Sequence, residues 1–101
     1  MPESFEETIT LAGDLHARPA GALSVAAAQF SSAVQLAVAG RADGGTAGVT
    51  GPQADAKSVL AVMQLGASSG QQVTVRAVGP DAEKAVETLI GILAAVSKAG
   101  D

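Results

Sequence analysis

The apolar residues of this chain switch repeatedly between a period of two and helical spacing, and that switching limits the possible folds more than any other feature. Phe5, Ile9 and Leu11 alternate with Glu6, Thr8 and Thr10, which predicts a half-buried strand with Glu7 as its one misfit. Gly13-Asp14 breaks it. Ala20, Leu23, Ala27 and Phe30 then fall at helical spacing, predicting a helix over 17–30. Pro19 sits in its first turn, where a missing backbone donor costs nothing. Val34, Leu36 and Val38 predict a second strand. Residues 39–53, which hold five of the 12 glycines, read as a loop or wide hairpin with a short strand near Ala47–Thr50. Ser58 is a natural N-cap for a short amphipathic helix of Val59, Leu60, Val62, Met63 and Leu65 that Gly66 stops. Ser68-Ser69-Gly70 is a turn. Val73, Val75 and Ala77 predict another strand. After Gly79-Pro80-Asp81, residues Ala85, Leu89, Ile92, Leu93 and Val96 form the stripe of a last helix. The order β-α-β-(β)-α-β-α predicts an α+β open-faced sandwich: a small, mainly antiparallel four-stranded sheet covered on one face by three helices.

With 101 residues, the chain fits one domain, 1–101, carrying an enlarged loop at about 39–53. Phe5 and Phe30 are its only aromatics, so alanine and valine must build a close-packed core. Six Lys and Arg against ten Asp and Glu leave a net charge of −4, which argues against nucleic acid as a partner. There is no cysteine, hence no disulfide and no thiol nucleophile. No apolar run approaches the roughly 20 residues that span a bilayer. Three glutamates in the first ten residues argue against a signal peptide, so the expected location is the cytoplasm.

His16 is the single histidine, at the junction of the broken strand and the alanine-rich helix. A lone histidine rules out a histidine metal cluster, and no metal or cofactor is expected. Imidazole is a competent nucleophile near neutral pH. A helix N-terminus offers free N–H groups and positive partial charge to a phosphoryl group. Arg18 adds a planar guanidinium suited to bidentate phosphate contact. These features make a phosphate site chemically reasonable, although a lone histidine at a helix start is more often a cap or surface residue. Neither a Walker A motif nor a G-x-S-x-G elbow is present.

The run Leu15-His16-Ala17-Arg18-Pro19-Ala20 resembles the active-site signature of HPr, the histidine phosphocarrier family of the bacterial sugar phosphotransferase system. The run from Ala56 to Gly66, with Lys57-Ser58 near its start, resembles the family's regulatory-serine helix. Gly70, the strand 73–78 and the helix 81–96 follow in the family's order. The resemblance covers nearly the whole chain outside 39–53. It implies a stoichiometric carrier, not an enzyme: His16 takes a phosphoryl group on Nδ1 from enzyme I, which draws on phosphoenolpyruvate, and passes it to sugar-specific A components. It implies that Arg18 neutralises the phosphoryl group and that the Ala17 and Arg18 N–H groups cradle it. Ser58 matches a serine that an HPr serine kinase modifies in some bacteria, where a transcription regulator is a further partner. Partner docking is expected on apolar surface at Ala20, Leu60 and Met63, rimmed by Ala17, Gly21 and Ala61, with the chain acting as a monomer.

Two departures stand out. Gly13-Asp14 replaces the Asn-Gly common before the family's Leu-His pair, placing a carboxylate two residues before His16. The loop 39–53 is longer than usual, which leaves open a specialised HPr-like module, as in a dihydroxyacetone kinase system, that acts mainly by protein binding.

Overall fold

The computed structural model describes residues 3–15, 17–39, 50–67 and 69–96. Its elements are β1 (Ser4–Thr10), α1 (Ala17–Ala27), β2 (Ala33–Ala39), β3 (Thr50–Asp55), α2 (Val59–Gln64), β4 (Gln72–Val78) and α3 (Ala82–Ala94). The strands form one sheet in the order β1-β4-β2-β3, antiparallel at every pairing. The three helices pack on one face, as the pattern predicts. The opposite face is polar, with Glu6, Gln35, Gln53, Thr74 and Arg76 around a shallow depression.

Cross-strand register explains why the alternation works. Glu7 pairs with Val75, Val75 with Leu36, and Leu36 with Ala54, so these four share a row on the helix-covered face. Val75 and Leu36 are fully buried at its centre. Glu7 stays exposed because β1 is an edge strand, where a carboxylate on the inner row still reaches water. On the other face, the Thr8 and Thr74 hydroxyls pair across β1 and β4 at 2.7 Å.

The third strand lies later than the sequence predicts. It runs over Thr50–Asp55, through Gly51-Pro52, while residues 47–49 lie outside the described residues. Gly-Pro reads locally as a breaker. Here β3 is an edge strand, and it holds one extra residue between the pairs Ala37–Gln53 and Ala39–Thr50. An edge strand with a bulge tolerates a residue that cannot donate to the ladder. Helix α1 also stops at Ala27 instead of Phe30. Its last bonds tighten, Gln29 N–H to the Ala26 carbonyl and Phe30 N–H to that of Ala27. Lys57 Nζ then donates to the Phe30 carbonyl at 3.0 Å, satisfying an acceptor at the helix end.

The predicted stripes build the core. Ala20, Leu23 and Ala27 of α1 are fully buried, as are Ala85 and Leu89 of α3, against Val34, Leu36, Val73, Val75 and Ala77 of the sheet. Small side chains on both layers allow the close approach that a chain with two aromatics requires.

Asp81 precedes α3 but does not cap it with its side chain. Its carboxylate instead accepts the N–H groups of Ser31 and Ser32, each at 2.9 Å, and the Ser32 hydroxyl. The start of β2 is thereby clamped to the start of α3. The Ser32 hydroxyl, followed by the Ser31 N–H, holds the Asp81 carboxyl below its ordinary value of 3.8. A lowered folded-state value means that the charged form stabilises the fold at neutral pH. That contribution declines as pH falls through the ordinary carboxylate value and is gone below the lowered one. Urea melts should therefore show parent and Asp81→Asn differing most near pH 7 and converging in acid. A gap that widens in acid would contradict this.

Candidate functional site

The site begins where β1 ends. Beyond the pair Thr10–Gln72, the segment 11–15 stays fastened to residues 67–71. Leu11 N–H donates to the Gln71 carbonyl, Gly70 N–H to the Leu11 carbonyl, and Leu15 N–H to the Ala67 carbonyl, each at 2.9 Å. Leu11 and Leu15 are buried at 2% and 4% exposure, so both ends of this arch are anchored in the core. Gly66 and Gly70, at φ of +64° and +89°, supply the backbone turns that bring 67–71 into place. Between the anchors, Asp14 Oδ1 accepts the Ser69 N–H at 2.9 Å, and the Ser69 hydroxyl donates to the Ala12 carbonyl at 3.1 Å.

Helix α1 starts at Ala17, one residue after His16; His16 itself lies outside the described residues. Ala17 and Arg18 are exposed, and Pro19 is half-buried in the first turn. No acidic side chain occupies that turn. The positive end of an 11-residue helix thus meets solvent beside a guanidinium, with no carboxylate in the turn to offset it. That combination attracts a dianionic group.

Helix α2 packs against α1, which puts the second motif in the same helical layer as the first. Ser58 is its N-cap, in an extended conformation, with Oγ accepting the Ala61 N–H at 3.2 Å. Asp55 fixes the approach: its carboxylate accepts the Lys57 N–H and its carbonyl the Ser58 N–H. Ser58→Ala should lower stability by about 1 kcal/mol, the ordinary worth of an N-cap, as read from urea melts. No loss would mean that water replaces the hydroxyl.

The predicted docking residues separate. Leu60 and Met63 are exposed at 67% and 43%. Ala20, by contrast, is fully buried and is not part of a partner surface. It shares the inward stripe of α1 with Leu23 and Ala27, so the spacing that placed it near His16 also turns it into the core. Val59, exposed at 41%, joins the apolar surface in its place. Its sequence signal was ambiguous, because in a six-residue helix an apolar residue at the first position can face either way. Ala17 is exposed, and Gly21 and Ala61 are half-buried. The Asp14–Ser69 contact had no local signal, since its partners stand 55 residues apart.

A family model described as "PTS HPr component phosphorylation site" matches residues 3–95. The chain belongs to the HPr family. HPr proteins are phosphocarriers of the phosphotransferase system, not catalytic enzymes, and they work with phosphotransfer partners. Over 80 residues this chain is 36% identical to the phosphocarrier protein HPr of Cupriavidus necator, covering 79% of this chain and 78% of that one. It is 34% identical to the multiphosphoryl transfer protein of Xanthomonas campestris over 92% of its own length, and spans a tenth of that protein. Among solved structures, HPr from Bacillus anthracis superimposes with a TM-score of 0.71 at 25% identity, covering 89% of this chain and 96% of that one. The open-faced sandwich is thus the HPr fold, with Ala17 and Arg18 at the start of α1 and Ser58 at the start of α2.

Proposed function

We propose that this HPr-family chain accepts a phosphoryl group on His16 from enzyme I and delivers it to a sugar-specific A component. The observation that carries this reading is the entrance to α1. A doubly anchored arch ends at buried Leu15, one residue before His16, and leads into a helix terminus free of acidic side chains with Arg18 in its first turn. Neutral imidazole keeps a lone pair on one ring nitrogen. In the forward step an N–P bond forms at His16 Nδ1 as the phosphoryl group's bond to its donor breaks. Arg18 and the first N–H groups of α1 balance the phosphoryl charge, and the reverse exchange hands the group on. Transfer of this kind, in the cytoplasm where phosphoenolpyruvate is made, needs neither metal nor cofactor in the carrier.

Exposed Val59, Leu60 and Met63 supply the apolar contact for both partners. Ser58 stands at the head of that surface, so a phosphate there would add about −1.5 to −2 charge beside it and weaken docking. A Ser58→Asp chain is expected to load more slowly than the parent. Incubation of the parent with enzyme I and phosphoenolpyruvate should install one acid-labile, base-stable phosphate per chain. An unlabelled chain, or acid-stable label, rejects the reading.

A further inference from the structure

Asp14 lies outside the motif that resembles the family signature, yet its side chain helps to close the arch before α1. Backbone bonds fasten Leu11 and Leu15 to the 67–71 loop. Between them, Asp14 Oδ1 holds the Ser69 N–H at 2.9 Å, and Ser69 Oγ returns a bond to the Ala12 carbonyl at 3.1 Å. Each of these contacts joins segments more than 50 residues apart, so each subtracts freedom from the chain next to His16. The carboxylate is also exposed, so its hold on Ser69 is not enforced by burial. A carboxylate turned toward an incoming phosphoryl group would repel it. Engaged by Ser69, the Asp14 oxygen is committed to the 67–71 loop instead.

We propose that Asp14 is a positioning residue for phosphoryl transfer: by accepting the Ser69 N–H it sets the arch 12–14, and through Leu15 the path of the chain that leads toward α1. This rests on His16 being the acceptor. The role belongs to the acceptor oxygen and not to the charge. Asparagine, which keeps Oδ1 and loses the charge, therefore serves in its place, and alanine does not.

The test measures loading of the full chain from enzyme I and phosphoenolpyruvate in the parent, Asp14→Ala, Asp14→Asn and Ser69→Ala, with urea melts to show that each is folded. Asp14→Ala should load on the order of ten- to a hundredfold more slowly at saturating carrier, the size of a small misplacement of a reacting group. Its half-saturating concentration should not change. Amide exchange at Ser69 should quicken. Asp14→Asn should restore both rate and protection, and Ser69→Ala, which retains the N–H, should load faster than Asp14→Ala. Parental loading by Asp14→Ala overturns the proposal, and so does an Asp14→Asn chain as slow as the alanine variant. The two readings fail separately. A parent that takes no acid-labile label removes the acceptor reading and this one with it, whereas a labelled parent with an equally fast Asp14→Ala removes this one alone.

Discussion

Replacing His16 with alanine is expected to abolish acid-labile phosphate on the chain while leaving its fold intact. The chain has one histidine and no cysteine, so no second nitrogen or sulfur nucleophile of this type is available to take over. Its remaining candidates are hydroxyls, carboxylates and lysine amines, the last protonated near neutral pH and so poor nucleophiles. A phosphoserine would be acid-stable and an acyl phosphate would be base-labile, so the two treatments exclude hydroxyl and carboxylate acceptors, and the loss of label in His16→Ala identifies the nitrogen. The Arg18→Ala chain makes a graded comparison. Arg18 contributes charge and hydrogen bonds to the phosphoryl group but no bond to phosphorus. Loss of a charge-assisted hydrogen bond of about 1.5–3 kcal/mol should slow its loading by roughly ten- to a hundredfold without ending it. Label from radioactive phosphoenolpyruvate, followed by acid and base challenge, distinguishes the two variants. Acid-labile label at the parental level in His16→Ala would place the acceptor elsewhere.

Gly79→Ala should produce the largest loss of stability among exchanges that remove no core side chain. Gly79 has φ of +146°, a conformation that residues with a Cβ rarely adopt. A Cβ there would lie 2.5 Å from Ser32 Oγ, 2.7 Å from Ser32 Cα and 2.9 Å from Ser32 Cβ. Rotating the hydroxyl away does not relieve the contact, because two of these atoms are carbons close to or within the backbone. Ser32 is 1% exposed and has no free space to retreat into. The corner between β4 and α3 must therefore move, pulling Asp81 off Ser31 and Ser32. Backbone strain and overpacking together should cost on the order of 3 kcal/mol. Against a total of about 5–15 kcal/mol for a domain, this is a large fraction. The midpoint of a thermal melt should fall by about 10–20 °C. Gly91→Ala is the control. Gly91 lies exposed in α3, and a methyl group on its Cα would meet nothing within 4 Å, so alanine there should raise stability by about 0.5–1 kcal/mol. Equal melts for parent and Gly79→Ala would show that the β4–α3 corner yields freely.

What could be read in the residues and what could not divide along one line. Val34, Leu36 and Val38, or Val73, Val75 and Ala77, announce a strand because side chains two apart share a face, whatever the strand pairs with. The stripe Ala85, Leu89, Leu93 announces a helix for the same local reason. Ser58 could be named a cap because its partner, Ala61, is three residues away. The candidate site was legible to the same extent: His16, Arg18 and Ser58 are marked by their neighbours in the chain. Ala20 was misplaced because nearness to His16 along the chain says nothing about which side of α1 meets the sheet. Gly51-Pro52 hid β3 because a bulge on an edge strand is defined by its partner, β2.

The sequence by itself thus determined the period, and with it the elements, their order and the chemistry available at the start of α1. Tertiary structure decided which strand became an edge, and so why Glu7 is tolerated on an inner row and Pro52 inside a strand. It also decided the two clamps, Asp81 on Ser31 and Ser32, and Asp14 on Ser69. Each joins residues about 50 or more positions apart. A hydrogen bond of that span leaves no periodic trace in the chain. It exists only after the sheet has brought its two ends to within 3 Å.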